Sequence, residues 1–316
     1  MFKVMASKKI KRNGYLIEPG AFLAGADLKD ARLSGMDLTG CDLSGANLSG
    51  SNLAGAIITG ANLAGANLST ANLSRSNLRH TNLEKASLSE ANLLGADLTE
   101  ASILKANLTR AQASLANFSL ANLSGAVLVQ ANLVNARLAN SVMLNANLEN
   151  ARLRGVQLFG ADLTKANLTS ANLTKANLTS ACLHRANLSG AVLHNAKLNK
   201  AQLTEASLLN AKMQGCNLSG ADLRRANLSG AMLCGTDALI ADFDKVSSNK
   251  NGLPPRGRKR KGLVGANLTK ANLMGANLTK ANLSGAKLDR TNLVNVVLDN
   301  TDLRGVNMDG AIRRTK

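Results

Sequence analysis

One apolar position recurs at every fifth residue of this chain and defines its organisation. From Leu23 to Phe243 this position is nearly always leucine, and the same frame resumes at Leu263 and runs to Met308. The residue two positions before each leucine is small, usually Ala, and the residue between them is usually Asn or Asp, as in Ala61-Asn62-Leu63. A fixed short period is typical of solenoid proteins, so the pattern predicts one elongated repeat structure.

A period of five residues fits neither an α-helix nor a flat β-strand. Five residues turn an α-helix by about 500°, so successive leucines would point to different sides of it. A strand alternates with a period of two, so successive leucines would fall on opposite faces. A chain that bends by a constant angle after every five residues can direct all the leucines towards one axis. The small residue two positions earlier would then point inward too, and the intervening Asn or Asp outward.

The A-[N/D]-L-x-x unit resembles the pentapeptide-repeat family over most of the chain. This resemblance implies an all-β fold, a right-handed quadrilateral parallel β-helix in which four units form one square coil. At a strand spacing of ~4.8 Å, it implies about 14 coils and a rod on the order of 65 Å long. Residues that are four units apart would stack above one another, which allows columns of surface residues to be identified.

The repeat pattern divides the chain into five segments. They are a basic N-terminal arm and cap (1–20), the solenoid (21–243), a basic loop containing Pro and Gly (244–262), the continued solenoid (263–310) and a basic tail (311–316). Within the first segment, Gly14–Gly20 is expected to cover the first coil, because an open coil would expose apolar side chains and unpaired strand edges.

The core pattern is irregular at a few positions. Between residues 244 and 262, Arg258 falls on a leucine position and Arg256 on an alanine position. Burying such charges would cost several kcal/mol each, which favours an exposed loop over a degenerate coil. Ala113 and Ala238 also occupy leucine positions, where each is expected to leave a void or a local kink.

The net charge of +18 is unevenly distributed along the chain. Residues 1–20 carry +4, residues 244–262 carry +6 and residues 311–316 carry +3, which leaves +5 on the repeat body. Basic arms of this kind indicate attraction to a polyanionic partner.

Two sets of basic residues are candidate polyanion-binding sites. The set in the loop resembles a nuclear-import signal or a nucleic-acid contact arm, with a solvated loop as the alternative, and comprises Arg256, Arg258, Lys259, Arg260 and Lys261. The set on the solenoid would form one corner column, interrupted by Glu205, and comprises Lys85, Lys105, Lys165, Arg185 and Arg225. Such a column could neutralise a phosphate backbone. Outward acids nearby favour the alternative of a mixed, soluble surface.

The sequence predicts no catalytic, cofactor-binding or metal-binding residues. The three histidines do not stack on one another, and neither a phosphate-binding loop nor a nucleophile elbow occurs in the repeats. The outward asparagines are expected to form side-chain hydrogen-bond ladders between coils. No apolar run is long enough for a membrane span, and the N-terminus lacks an apolar secretory core. A cytoplasmic protein is expected, or a nuclear one because of the basic loop.

These features predict a non-catalytic solenoid scaffold that mediates macromolecular, mainly protein–protein, interactions. Nucleic-acid binding through the basic arms and loop is the second hypothesis. The family resemblance implies a third, mimicry of duplex DNA that protects type II topoisomerases, which the positive charge disfavours. The C-terminal coil has no obvious cap, which predicts either an end-to-end homodimer or a tail that folds back over the end.

Overall fold

The computed structural model describes residues 10–12, 14–233, 266–274, 276–279 and 281–313. Several predicted features lie outside these ranges: the solenoid's continuation to Phe243, the basic loop at 244–262 and the resumption at Leu263. The segment boundaries and the number of coils therefore stay predictions.

A parallel ladder with a separation of 20 residues joins successive coils. The outward residue before each leucine forms an isolated parallel bridge with its counterpart one coil further, from Phe22 and Asp42 to Asn292 and Ile312. At each bridge the backbone N–H of the leucine donates to the carbonyl of the outward residue in the next coil, as Leu28 N–H does to Asn47 O at 2.7 Å. The N–H of that outward residue donates back to the small residue of the first coil, as Asn47 N–H does to Ala26 O at 2.9 Å. Four five-residue sides per coil make a right-handed quadrilateral β-helix, as predicted.

The four sides of the rod are numbered here by their first leucines. Face 1 contains Leu23, face 2 Leu28, face 3 Leu33 and face 4 Leu38, and each face continues through the residues one coil further along. The corner that follows a face is named by the two faces it joins.

Each corner formed by consecutive described residues is a tight turn whose second central residue has a positive φ. The Ala26 N–H donates to Leu23 O at 3.0 Å across such a turn, and this bond recurs at successive corners. The φ angle is 63° at Gly45, 57° at Lys85 and 56° at Asn135. A positive φ at this position is the signature of a type II turn, which favours Gly or Asn. Where the second central residue is neither Gly nor Asn, as at Lys85, its side chain points away from the rod.

Leucine and alanine positions together form one continuous core along the axis. Leu63 is 1% exposed and Leu178 0%, and the small residues Ala66 and Ala176 are both 0% exposed. Full burial of a leucine side chain contributes about 1.5–3 kcal/mol relative to exposure, so the repeated unit supplies much of the folding free energy.

The outward asparagines stabilise the rod in two ways. Along face 1, Asn62 Nδ2 donates to Asp42 Oδ1 and Asn82 Nδ2 donates to Asn62 Oδ1, both at 3.1 Å. These contacts confirm the predicted ladders. In addition, Asn62 Oδ1 accepts the backbone N–H of Ala64 at 3.2 Å, which braces the following corner.

An antiparallel hairpin precedes the first coil. Strand β1 spans Ile10–Arg12 and pairs with β2, Tyr15–Ile17. Ile17 is 0% exposed and belongs to the same core as Leu23. A hydrogen bond from Cys41 Sγ to Glu18 O (3.2 Å) links the segment after β2 to the second coil. An apolar residue thus covers the end of the core where the sequence predicts a cap.

The ladder continues in phase across the interruption of the repeat. Asn217 pairs with Asn267, a separation of 50 residues instead of 20. The Ala266 N–H donates to Leu233 O at 2.9 Å, the bond that elsewhere closes an ordinary corner. The described chain therefore leaves and resumes the rod at one corner, between faces 3 and 4, without a change of frame.

The coil that contains Ala113 is regular, contrary to the expected kink. The Ala113 N–H donates to Asn132 O at 2.8 Å, and Ala113 itself is 1% exposed. On the next face of the same coil, the leucine position holds Phe118, which is fully buried and is the largest such side chain in the core. We infer that Phe118 compensates for the volume missing at Ala113, because interiors are packed without large voids.

This compensation can be measured as a coupling between the two positions. Phe118→Leu should lower the free energy of unfolding by about 1–2 kcal/mol, because it removes buried carbon from a coil that is already short of volume. Ala113→Leu alone should cost about 1–3 kcal/mol by overfilling the coil. The double variant should return to within about 1 kcal/mol of the parent. Urea unfolding followed by circular dichroism measures all three, and costs that simply add would contradict the compensation.

Candidate interaction surfaces

The structure brings the predicted corner residues into one column. Lys85, Lys105, Lys165, Arg185 and Arg225 all lie at the corner between faces 1 and 2, and all are exposed with φ between 55° and 58°. Glu205 lies in the same column between Arg185 and Arg225, as the sequence predicts. The geometry of the column is thus as expected, but its electrostatics are not.

Most cations of this column have an acidic partner. Arg185 Nε lies 2.7 Å from Glu205 Oε2, and Arg225 Nη1 lies 3.9 Å from Glu205 Oε1. Lys85 Nζ lies 3.1 Å from Glu84 Oε1. The hydrogen bond from Arg185 is the main cause that lowers the pKa of Glu205, so this carboxylate stays charged at neutral pH. The column therefore offers a polyanion less charge than its composition indicates.

A shallow depression of about 510 Å³ lies beside the same corner. It is lined by His184, Thr204, Glu205, Arg224, Arg225, Met274 and Asn295. His184 Nδ1 lies 2.7 Å from Thr204 Oγ1, and Arg224 Nη2 lies 2.6 Å from Asp222 Oδ2. The arginines of this depression are held by acids, so it presents a nearly balanced surface. Sequence reasoning missed Arg224, which is the first central residue of this turn and so lies outside the column of second central residues.

The second predicted set of basic residues lies outside the described residues. Arg256, Arg258, Lys259, Arg260 and Lys261 fall between Leu233 and Ala266 in the sequence. Their role in binding a polyanion stays a prediction.

Three exposed leucines lie within two successive coils, a feature that the sequence analysis did not single out. This leucine patch comprises Leu94 (42% exposed), Leu115 (61%) and Leu120 (54%). Leu115 and Leu120 stand at the two corners that flank face 4 in one coil, with φ of 61° and 62°. Leu94 lies one coil earlier on face 3. The available signal was leucine in corner positions, where most units have Gly, Asn or a charged residue.

Leu115 also borders a second shallow depression, of about 400 Å³. Its lining includes Asp97, Asn117, Asn135 and Arg137. Apolar and charged groups thus meet at the corner between faces 3 and 4.

Nucleophilic and metal-binding side chains are dispersed over the described part of the rod. Within it, no group of three or more His, Cys, Asp or Glu residues could hold a metal ion. Cys41 and Cys216 are buried in alanine positions, and Cys182 is half-buried on face 1, where its Sγ lies 3.1 Å from Thr164 Oγ1. In the same described ranges, no helix is long and apolar enough to cross a membrane.

A family model described as pentapeptide repeats matches most of the sequence. The matched residues are 19–45, 37–75, 76–111, 116–155, 151–190, 186–225, 201–237, 263–293 and 276–312. The comparison with curated proteins finds no match.

Several solved structures are similar to this chain. HetL, a pentapeptide-repeat protein involved in heterocyst differentiation regulation from the cyanobacterium Nostoc sp. strain PCC 7120, shares 31% identity over 84% of this chain and 89% of its own, with a TM-score of 0.29. Full-length QnrB1, a plasmid-mediated fluoroquinolone resistance protein, shares 17% identity over 84% of this chain and 92% of its own, with a TM-score of 0.27. Rfr23 from the cyanobacterium Cyanothece 51142 shares 26% identity over 48% of this chain and 90% of its own, with a TM-score of 0.17.

The cysteines should differ sharply in reactivity. Burial raises the pKa of Cys216 to about 12 and also raises the pKa of Cys41, so neither forms much thiolate at pH 8. In a Cys234→Ser variant, which removes the thiol outside the described residues, native protein should react with Ellman's reagent at Cys182 and at neither buried thiol. In denatured protein, the absorbance of the released chromophore should correspond to all three thiols. Rapid reaction of Cys216 in the native state would contradict its burial.

Proposed function

We propose that this chain, which belongs to the pentapeptide-repeat family, is a non-catalytic solenoid scaffold that holds a protein partner against the leucine patch. The observation that carries this proposal is the position of Leu115 and Leu120, which are exposed at corners with a positive φ. The regular ladder on either side of this coil makes the patch a fixed surface rather than a flexible loop.

Both corner leucines are unfavourable for folding alone. A left-handed conformation costs an L-residue with a branched side chain roughly 1–2 kcal/mol, and exposure to water forfeits the benefit of burial. One coil further, the same two columns contain Asn135 and Asn140, which suit this backbone and an exposed surface. The positive φ is common to the described corners, so what distinguishes these two residues is an exposed apolar side chain, and exposed apolar clusters are typical of protein contacts.

A rigid backbone makes such leucines effective in binding. Side chains on a preorganised surface lose less conformational entropy when a partner covers them. The patch is also small, so it suits a contact in which a few apolar side chains anchor a larger polar surface.

The other candidate functions receive different support. Mimicry of duplex DNA would need an acidic rod, whereas this chain carries a net charge of +18. Polyanion binding through Arg256, Arg258, Lys259, Arg260 and Lys261 is consistent with that charge and is the second candidate function. We also propose that the protein is located in the cytoplasm or the nucleus.

An end-to-end homodimer through the C-terminal coil is part of this proposal. Leu298 is 37% exposed and Leu303 is partly buried, whereas Leu278 and Leu283 in the preceding coil are 0% exposed. A second copy stacked on this end would cover the exposed core. Sedimentation equilibrium should then show a dimer that Leu298→Asp shifts towards the monomer, while a monomeric parent protein would exclude this arrangement.

The leucine patch is tested by a variant that should fold at least as well as the parent. Leu115→Asn combined with Leu120→Asn relieves the backbone strain and removes the apolar contact. A protein partner captured quantitatively from cell extract by the intact chain should be reduced by about tenfold or more with this variant, and should resist added salt because the contact is apolar.

The matched control changes two exposed apolar residues on other faces. Val142→Asn combined with Leu209→Asn alters residues that are 36% and 38% exposed on faces 1 and 2. This control should retain the partner that the patch variant loses. If both variants capture the same proteins in the same amounts as the parent, the leucine patch is not the binding surface.

A further inference from the structure

Positive charge is concentrated on two adjacent faces of the C-terminal half of the rod. Between residues 131 and 290, the described parts of faces 3 and 4 contain ten basic side chains and one acidic side chain, a net charge of +9. Over the same coils, the described parts of faces 1 and 2 contain four of each sign. The core pattern does not require this asymmetry, because all these side chains point outward.

The ten cations are exposed and, within the described residues, none takes part in an ion pair. On face 3 and its following corner they are Arg152, Arg154, Lys175 and Lys212. On face 4 and its following corner they are Arg137, Lys197, Lys200, Lys270, Lys287 and Arg290. These ten residues are named here the basic edge. By contrast, Arg185, Arg224 and Arg225 on face 1 all have carboxylate partners.

Unpaired like charges on neighbouring coils are unfavourable for folding. Among the ten, Lys270 and Arg290 lie one coil apart in the same corner column, and two unit charges repel each other by about 1 kcal/mol at 4 Å in bulk water and more near a protein surface. Elsewhere on the rod an acidic residue neutralises neighbouring cations, as Glu205 does for Arg185 and Arg225. The charge at the basic edge is therefore available for a ligand.

We propose that the basic edge binds the phosphate backbones of duplex nucleic acid without reading sequence. This inference goes beyond the protein-binding scaffold proposed above, and it uses residues that the sequence analysis did not include. The cations extend over six coil steps, from Arg137 to Lys287, or about 29 Å at ~4.8 Å per step. That length matches roughly eight base pairs of a duplex, at 3.4 Å each.

The shape of the edge favours a duplex over a flat surface. The corner between faces 3 and 4 contains Gly155, Asn195 and Gly215 together with Lys175 of the basic edge, and further cations lie on both sides of it. A ridge with cations on each flank complements a groove bounded by two phosphate rows. A planar anionic membrane could reach face 4 and its two corners, which carry seven of the ten cations, but it would leave Arg152, Arg154 and Lys212 on face 3 without contact.

The composition of the edge disfavours a single strand as the preferred ligand. Phe159 is the one exposed aromatic residue on the described coils of these two faces. Proteins that prefer single strands usually stack bases on several aromatic side chains. Long basic side chains without such platforms are typical of phosphate contacts.

One further observation agrees with this assignment. The charge of Lys212, acting after the larger effect of burial, lowers the pKa of His194 on face 3.

The test compares two variants of the full-length chain that lose equal charge. The edge variant carries Lys197→Gln, Lys200→Gln, Lys212→Gln and Lys287→Gln. The control carries Lys85→Gln, Lys105→Gln, Lys165→Gln and Arg225→Gln, at the corner between faces 1 and 2. Fluorescence anisotropy measures binding to a labelled duplex of about 20 base pairs from about 50 to 200 mM salt, after circular dichroism has confirmed equal folding.

The edge variant should bind the duplex at least about tenfold more weakly than the parent at the lower salt. The slope of log affinity against log salt should fall by up to about 3.6, since each lost phosphate contact removes about 0.9. The control should stay within about threefold of the parent. If both variants lose duplex affinity equally, net charge alone explains the binding. If neither loses affinity, the basic edge is not the binding surface. Either result overturns the proposal.

The same proteins should be measured against a single strand of equal length and against phosphatidylserine-containing vesicles. Tighter binding to the duplex than to either competitor supports the assignment. Tighter binding to the single strand or to the vesicles overturns it in favour of that ligand. Because the leucine patch is intact in both variants, failure here is distinguishable from failure of the protein-binding proposal.

Discussion

The narrowness of the core is the constraint on which this structure depends. Each side of the square coil has room for one leucine-sized side chain and one small side chain, as Leu63 and Ala61 show at 1% exposure each. To send every leucine to the axis, the chain must turn after every five residues, and the turn requires a positive φ at a fixed position. Two of five residues are thereby committed to the core, and the other three are free to vary on the surface.

This separation explains why the fold was predictable from the sequence. The period identified the coil, the inward positions and the columns of stacked residues, so that Lys85 and Lys105 were correctly placed at one corner. It did not reveal the ion pairs of Glu205 with Arg185 and Arg225, because Glu205 was considered only as an interruption of the column. The kink expected at Ala113 does not occur, and we infer that the reason lies on the neighbouring face of the same coil, where Phe118 occupies the leucine position.

The functional surfaces were harder to predict because the repeat pattern carries no information about them. Leu115 is ordinary as an amino acid and unusual only at a corner with positive φ, which the backbone reveals. The basic edge is hidden in the sequence because its residues come from many units that alternate with units of faces 1 and 2. The pairing of Asn217 with Asn267 was also unpredictable, since the apolar frame continues to Phe243.

The two proposed surfaces adjoin each other, and the rod fixes their relative position. Arg137 of the basic edge lines the same depression as Leu115 of the leucine patch, at the corner between faces 3 and 4. The parallel ladder runs without a break from that coil to Leu233, so the two surfaces cannot move independently. A protein bound at the leucine patch would lie in line with a duplex bound along the edge. The scaffold would then act by setting the distance and orientation between two partners, a task for which a stiff solenoid is better suited than a flexible linker.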